Sequence, residues 1–149
     1  MIYAAFYTKR GDWVDKVIRF RTVSPYSHVE LVMPNGLCYS SSPRDGGVRA
    51  KALELLPEDW ELVPLPFADY ARIKHFYERT QGNPYDFVGA IIGQGLAAKA
   101  HRDGAYFCSE WVAESLGLSD PWRYSPALLY NVLTDYNKVC YDNTRCVTL

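Results

Sequence analysis

Apolar and polar positions alternate in short runs along the first half of the chain and recur at helical spacing along the second. Met1-Ile-Tyr-Ala-Ala-Phe-Tyr reads as a strand. Behind Gly11-Asp12, the residues Trp13, Val17, Ile18 and Phe20 fall on one helical face with Asp12 as N-cap, which predicts a short helix. Tyr26 to Met33 alternates as extended chain, Pro34-Asn35-Gly36 turns it, and Leu37 to Ser42 runs back. The loop Pro43-Arg44-Asp45-Gly46-Gly47 leads to an edge strand, and Trp60 to Leu65 supplies another. These strands are expected to form one antiparallel sheet.

From Ala68 to about Arg79 the period becomes helical, with Tyr70, Ile73, Phe76 and Tyr77 as the apolar side and Gly82-Asn83-Pro84 as the stop. Tyr85 to Ala98 reads as a glycine-containing apolar helix, followed by a polar loop through His101-Arg102-Asp103-Gly104. An amphipathic helix then runs from Cys108 to about Leu116-Gly117. Ser125 as N-cap and Pro126 at the first position open a last short helix, and the tail from Lys138 is expected to form a hairpin turning at Asp142-Asn143-Thr144. No repeat or low-complexity linker interrupts the 149 residues, a length that suits a single domain spanning 1–149. The expectation is a compact α+β domain.

Composition removes several function classes. Lys and Arg number 16 against 17 Asp and Glu, so the basic footprint of a nucleic-acid binder is missing and no nucleic acid is expected as partner. The most apolar stretch, Phe87 to Ala98, is shorter than the ~20 residues a membrane span needs, which makes it a buried segment. Met1 to Tyr7 has no basic region ahead of an apolar stretch, so the expected location is cytoplasmic. Cys38, Cys108, Cys140 and Cys146 lack the spacing of a zinc knuckle or a disulfide framework, and no metal or cofactor is expected. Aromatics make up 15% of the chain, enough for core packing and compatible with a ligand-gripping groove.

Cys108 has the setting of a nucleophile. It lies where irregular chain gives way to a helix, and a helix N-terminus favours thiolate and offers N–H groups to an oxyanion. Cys38, Cys140 and Cys146 have no such setting and read as small apolar residues. Of the three histidines, His75 sits on a helix side and His101 in a charged loop. His28, at the start of a strand, stands on the more rigid platform for a general base. Glu30 shares its strand face, about 6.6 Å away between Cα atoms. It can orient His28, recognise a substrate amine, or remain an exposed strand charge. If Met33 pairs with Leu37 across a three-residue turn, Glu30 faces Ser40 and His28 faces Ser42. With a two-residue turn, Ser41 moves opposite Glu30. Ser40, Ser42 and Tyr106 are therefore candidates to contact substrate. Glu110, in the first turn of the Cys108 helix, suits capping.

Ser27-His-Val-Glu-Leu-Val, the run Ser40-Ser-Ser-Pro-Arg-Asp-Gly-Gly-Val-Arg, Tyr85-Asp-Phe-Val-Gly-Ala and Phe107-Cys-Ser-Glu-Trp-Val together resemble the circularly permuted NlpC/P60 superfamily of papain-like cysteine hydrolases. That group includes lecithin retinol acyltransferase-like proteins, and small proteins of tailed bacteriophages are also similar. The likeness covers about Gly11 to Leu129. It implies a permuted papain-like fold, an antiparallel sheet packed against helices with the nucleophile at a helix N-terminus. Histidine precedes cysteine along the chain, opposite to papain. The resemblance further implies that Cys108 pairs with His28, with a third polar group fixing the ring. Family members take that group from the next strand, where this chain offers only serines, and Glu30 stands in as candidate. The implied activity is hydrolysis of an amide or ester, on a peptide, a peptidoglycan fragment or a lipid ester. Acyl transfer through the same thioester, or a catalytically silent binding or phage structural module, are the alternatives.

Overall fold

The computed structural model describes residues 1–8, 25–90 and 104–143, with side chains as far as 139. Its architecture is α+β: a five-stranded antiparallel sheet followed by three helices. The strands are β1 (Tyr3–Tyr7), β2 (His28–Val32), β3 (Cys38–Ser42), β4 (Gly47–Lys51) and β5 (Trp60–Pro64), in spatial order β4-β3-β2-β1-β5. The helices are α1 (Tyr70–Thr80), α2 (Cys108–Leu116) and α3 (Pro126–Asn143), with a 3-10 turn at Pro121–Arg123. The expected helices over 13–20 and beyond 90, His101 and Cys146 lie outside the described residues. A helical start is present at 87–90.

Alternation decides which face of the sheet is buried. Ala4 and Phe6 of β1, Val29 and Leu31 of β2, Tyr39 of β3, Val48 of β4 and Val63 of β5 join one core. Ile73 of α1, Trp111, Val112 and Leu116 of α2, and Leu129 and Leu133 of α3 close it from the helical side. The interleaved set on β2, His28, Glu30 and Val32, is thereby turned to the other face. Leu31 pairs with Tyr39 and Val32 with Cys38, while the Met33 N–H donates to the Leu37 carbonyl at 2.9 Å. The hairpin thus uses the three-residue turn, the register whose continuation sets Glu30 against Ser40.

Local chemistry sets the helix ends. The Asp69 carboxylate caps α1 by accepting from the Ala71 N–H at 2.8 Å. Gly117, left-handed at φ 86°, terminates α2. The Ser125 hydroxyl caps α3 through the Leu128 N–H at 3.1 Å. The buried Trp111 indole donates to Thr80 Oγ1 at 2.9 Å, tying α2 to the end of α1. Gly47, at φ 151°, lets β4 run against the Asn83–Pro84 backbone, where an added Cβ would stand 2.0 Å from the Asn83 oxygen. That approach fixes Tyr85 beside the site described below.

The tail corrects one expectation. α3 continues to Asn143, so no hairpin begins at Lys138. Leu129, Leu133 and Asn137 recur every four residues on the buried face, and the Asn137 amide donates to the Pro64 carbonyl at 2.6 Å. One polar residue at a buried helical position is enough to carry the period past the point where the apolar pattern ends. Among the described residues, no helix is long and apolar enough to cross a membrane.

Candidate functional site

The start of α2 is held by neighbours on two sides. Tyr106 bridges Tyr85 in parallel, its N–H donates to the Pro84 carbonyl at 3.1 Å, and its own carbonyl accepts from the Asp86 N–H at 3.0 Å. The same carbonyl accepts from the Ser41 hydroxyl of β3 at 2.7 Å. Phe107 is still extended, and the helix begins at Cys108. Glu110, wholly buried, reaches back to accept from the Phe107 N–H at 3.4 Å, the capping role expected of it. The first-turn N–H groups beside Cys108 have no intrahelical acceptor. Cys108 itself is buried at 2% exposure, and Ser109 anchors the turn by donating to the Tyr124 carbonyl at 2.6 Å.

His28 stands where this helix start meets β2. Its Nε2 lies 2.7 Å from Glu30 Oε1, which leaves Nδ1 as the ring nitrogen available to the Cys108 sulfur. Burial alone would lower the pKa of the ring. The charge of Cys108 and a hydrogen bond with it, reinforced by Glu30, raise the pKa instead to about 10. The protonated ring is therefore favoured by both partners.

Glu30 is fully buried, and a charge in that position needs a counterion. Arg49 of β4 supplies it as a two-pronged fork, with Nη1 2.6 Å from Oε2 and Nη2 2.5 Å from Oε1. Burial would push the Glu30 carboxyl up, but Arg49 and His28 overcome this and hold it below the usual carboxylate range. Arg49 is steadied in turn by Asp45, whose Oδ2 accepts from its Nε at 2.8 Å. Lys51 Nζ lies 2.9 Å from the other Asp45 oxygen. Arg49, against some loss of solvation and with help from Lys51, draws the Asp45 carboxyl down to about 2. The row Cys108, His28, Glu30, Arg49, Asp45 crosses three strands and a helix terminus.

Three residues singled out by the sequence, Cys108, His28 and Glu30, are brought together. Of the expected substrate contacts, Ser42 lines a cavity of about 150 Å³ that also touches His28 and Glu30. Ser40 and Tyr106 do not line it. Ser40 is fully buried and its hydroxyl donates to the Val29 carbonyl at 2.7 Å, so it is the small spacer over which Glu30 and Arg49 meet. The Tyr106 ring packs edge-on to Phe76 at 5.9 Å. Cys38 behaves as a packing residue: burial first, then the Glu30 charge, pushes its thiol up to about 11. No cluster of three or more metal-ligating side chains occurs among the described residues.

Arg49 is the residue that sequence reasoning missed. Its signal lay in two turns read in series. Ser40 pairs with Arg49 across the β3–β4 hairpin, and Glu30 comes one residue before Leu31, the partner of Tyr39, on β2. Compared with known proteins, the chain matches no family model, no curated protein and no solved structure.

Proposed function

We propose that the protein is a cysteine hydrolase of permuted papain-like type, cleaving an amide or ester through a Cys108 acyl-enzyme. The observation that carries this reading is the His28 ring held between Cys108 at the start of α2 and the buried Glu30 carboxylate. A base on a strand preceding the cysteine helix is the order of the permuted arrangement, and Glu30 fills the third place from the same strand.

In the proposed cycle the thiol proton passes to His28 and the sulfur attacks the carbonyl carbon. The displaced electron pair settles on the carbonyl oxygen, within reach of the first-turn N–H groups. Collapse breaks the bond to the leaving nitrogen or oxygen, which takes the proton from His28. Water then gives one proton to His28 and its hydroxyl to the thioester carbon. The C–S bond breaks, the acid departs, and the pair is restored.

The test is acylation by p-nitrophenyl acetate followed by intact-mass measurement. A burst of nitrophenol and one acetyl group on Cys108 are expected, with Cys108→Ala showing neither and His28→Gln slowed by about 10²-fold or more. Acyl transfer to an added amine outpacing hydrolysis would define the activity as a transferase. A Cys108 that neither acylates nor reacts with iodoacetamide at neutral pH would leave a silent binding module.

A further inference from the structure

Glu30 has two tasks in the site. It must stay ionised while fully buried, and it must keep Oε1 turned to the His28 ring. A cation placed anywhere beside it would meet the first. The second needs the plane of the carboxylate fixed, because the terminal torsion of a glutamate is broad.

The Arg49 fork fixes that plane. Nη1 binds Oε2 at 2.6 Å and Nη2 binds Oε1 at 2.5 Å, so one planar group pins both oxygens while Oε1 still meets His28 at 2.7 Å. The guanidinium is itself held from behind, its Nε donating to Asp45 Oδ2 at 2.8 Å, and Lys51 Nζ steadies Asp45 at 2.9 Å. Ser40, the partner of Arg49 on β3, turns its hydroxyl to the Val29 and Ser41 carbonyls and does not compete for the carboxylate. A lysine in place of Arg49 would bring the charge without the fork, as a point charge on a flexible stem. The ring that Glu30 holds is faced by Cys108 from α2, with Tyr7 of β1 and Trp60 of β5 beside it.

We propose that Arg49 is a positioning residue for the acylation of Cys108, acting on His28 through the plane of the Glu30 carboxylate. The proposal deepens the Cys108–His28 reading above and rests on it. The three hydrogen bonds of Arg49 go to Glu30 and Asp45, so its influence on the ring passes through Glu30. Charge alone does not replace it, and without Glu30 it has nothing to align.

The test compares rates of Cys108 acylation by p-nitrophenyl acetate, counted per folded chain, in Arg49→Lys and Arg49→Met, each made with Glu30 and with Glu30→Gln. Arg49→Met is expected to slow acylation by about 10²-fold and Arg49→Lys by about tenfold, the order of loss that a misplaced catalytic group brings. With Glu30→Gln already present, neither change should slow it further by more than about twofold. Without its counterion the buried Glu30 takes up a proton, so imidazole NMR should find His28 titrating at lower pH in Arg49→Met than in the native chain. A purely structural Arg49 would change the folded fraction, read by circular dichroism, and leave these quantities alone. Arg49→Lys acylating at the native rate, equal slowing by Arg49→Met with Glu30 and with Glu30→Gln, or an unmoved His28 titration would each overturn the positioning role. If Arg49→Met does not fold, Arg49→Lys keeps both charges and Glu30→Gln with Arg49→Met removes both, and these two decide the matter. A native chain that the ester does not acylate would instead overturn the hydrolase reading beneath.

Discussion

Glu30 and Glu61 are each gripped by two donor side chains, and they sit in opposite situations. Glu30 is fully buried between His28 and the Arg49 fork. Glu61 of β5 is exposed, accepts from the Tyr26 hydroxyl at 2.6 Å and from the Tyr130 hydroxyl, and ties the chain before β2 to α3. Neutral phenols suffice where water shares the load. Where water is excluded, only a cation keeps a carboxylate ionised, and an ionised Glu30 can then hold a protonated His28. The pairing of Glu30 with both Arg49 and His28 follows from its burial.

The largest expected effect tests that contrast directly. Glu30→Gln leaves Arg49 and His28 without their buried anion and should cost about 3–5 kcal/mol, as when one partner of a buried pair is removed. Glu61→Gln keeps one acceptor at an exposed position and should cost no more than about 1 kcal/mol. Urea titration of both variants decides the matter. Similar losses in the two would show that Glu30 does not depend on a charged partner.

A second difference appears with pH. The His28 pKa of about 10 in the fold exceeds the ordinary 6.5, so its contribution to stability is complete below pH 6.5 and is lost as pH rises toward 10. Glu30, held below its usual 4.5, contributes above that value and loses its share as pH falls further. Denaturation midpoints measured between pH 6 and 10 should decline in the native chain and decline less in His28→Gln. Because the charge of Cys108 is the largest influence raising the ring, Cys108→Ala should lower the His28 pKa seen by imidazole NMR. An unchanged value would mean that thiol and ring are not coupled.

The same contrast explains what could be read from the sequence. Glu30 shares a face with His28 whatever the strand register, because two positions along a strand always return to one side. Cys108 is visible because extended chain meets an amphipathic pattern there. Arg49 required both hairpin registers together: a one-residue slip at Pro34–Gly36 or at Asp45–Gly46 would send the guanidinium to the other face. Ser40 misled for the same reason. Either Ser40 or Ser41 could stand opposite Glu30 until the turn was known, and the Ser40 hydroxyl's turn toward the Val29 carbonyl depends on packing. The end of α3 was hidden by Asn137, a polar residue on the buried face whose partner is a backbone carbonyl 73 positions away in sequence.

The smallest effect concerns the phenol side of the comparison. Tyr130 hydrogen-bonds Glu61, stacks on Tyr26 at 4.4 Å and meets Phe6 edge-on at 5.2 Å. Tyr130→Phe keeps both ring contacts and removes only the hydroxyl, so it isolates the tie to Glu61 from the packing around it. The remaining Tyr26 donor and solvent can still satisfy the carboxylate. The expected loss is therefore about 0.5–1 kcal/mol, with Cys108 acylation unaltered. Burial first, then Glu61 and Tyr130, raises the Tyr26 phenol above its ordinary 10. With one of those influences gone, Tyr26 should ionise at lower pH in Tyr130→Phe, which ultraviolet titration of the tyrosines can follow. A loss of acylation on removing this one hydroxyl would show that the Glu61 tie positions the His28 strand rather than merely bracing β5 against α3.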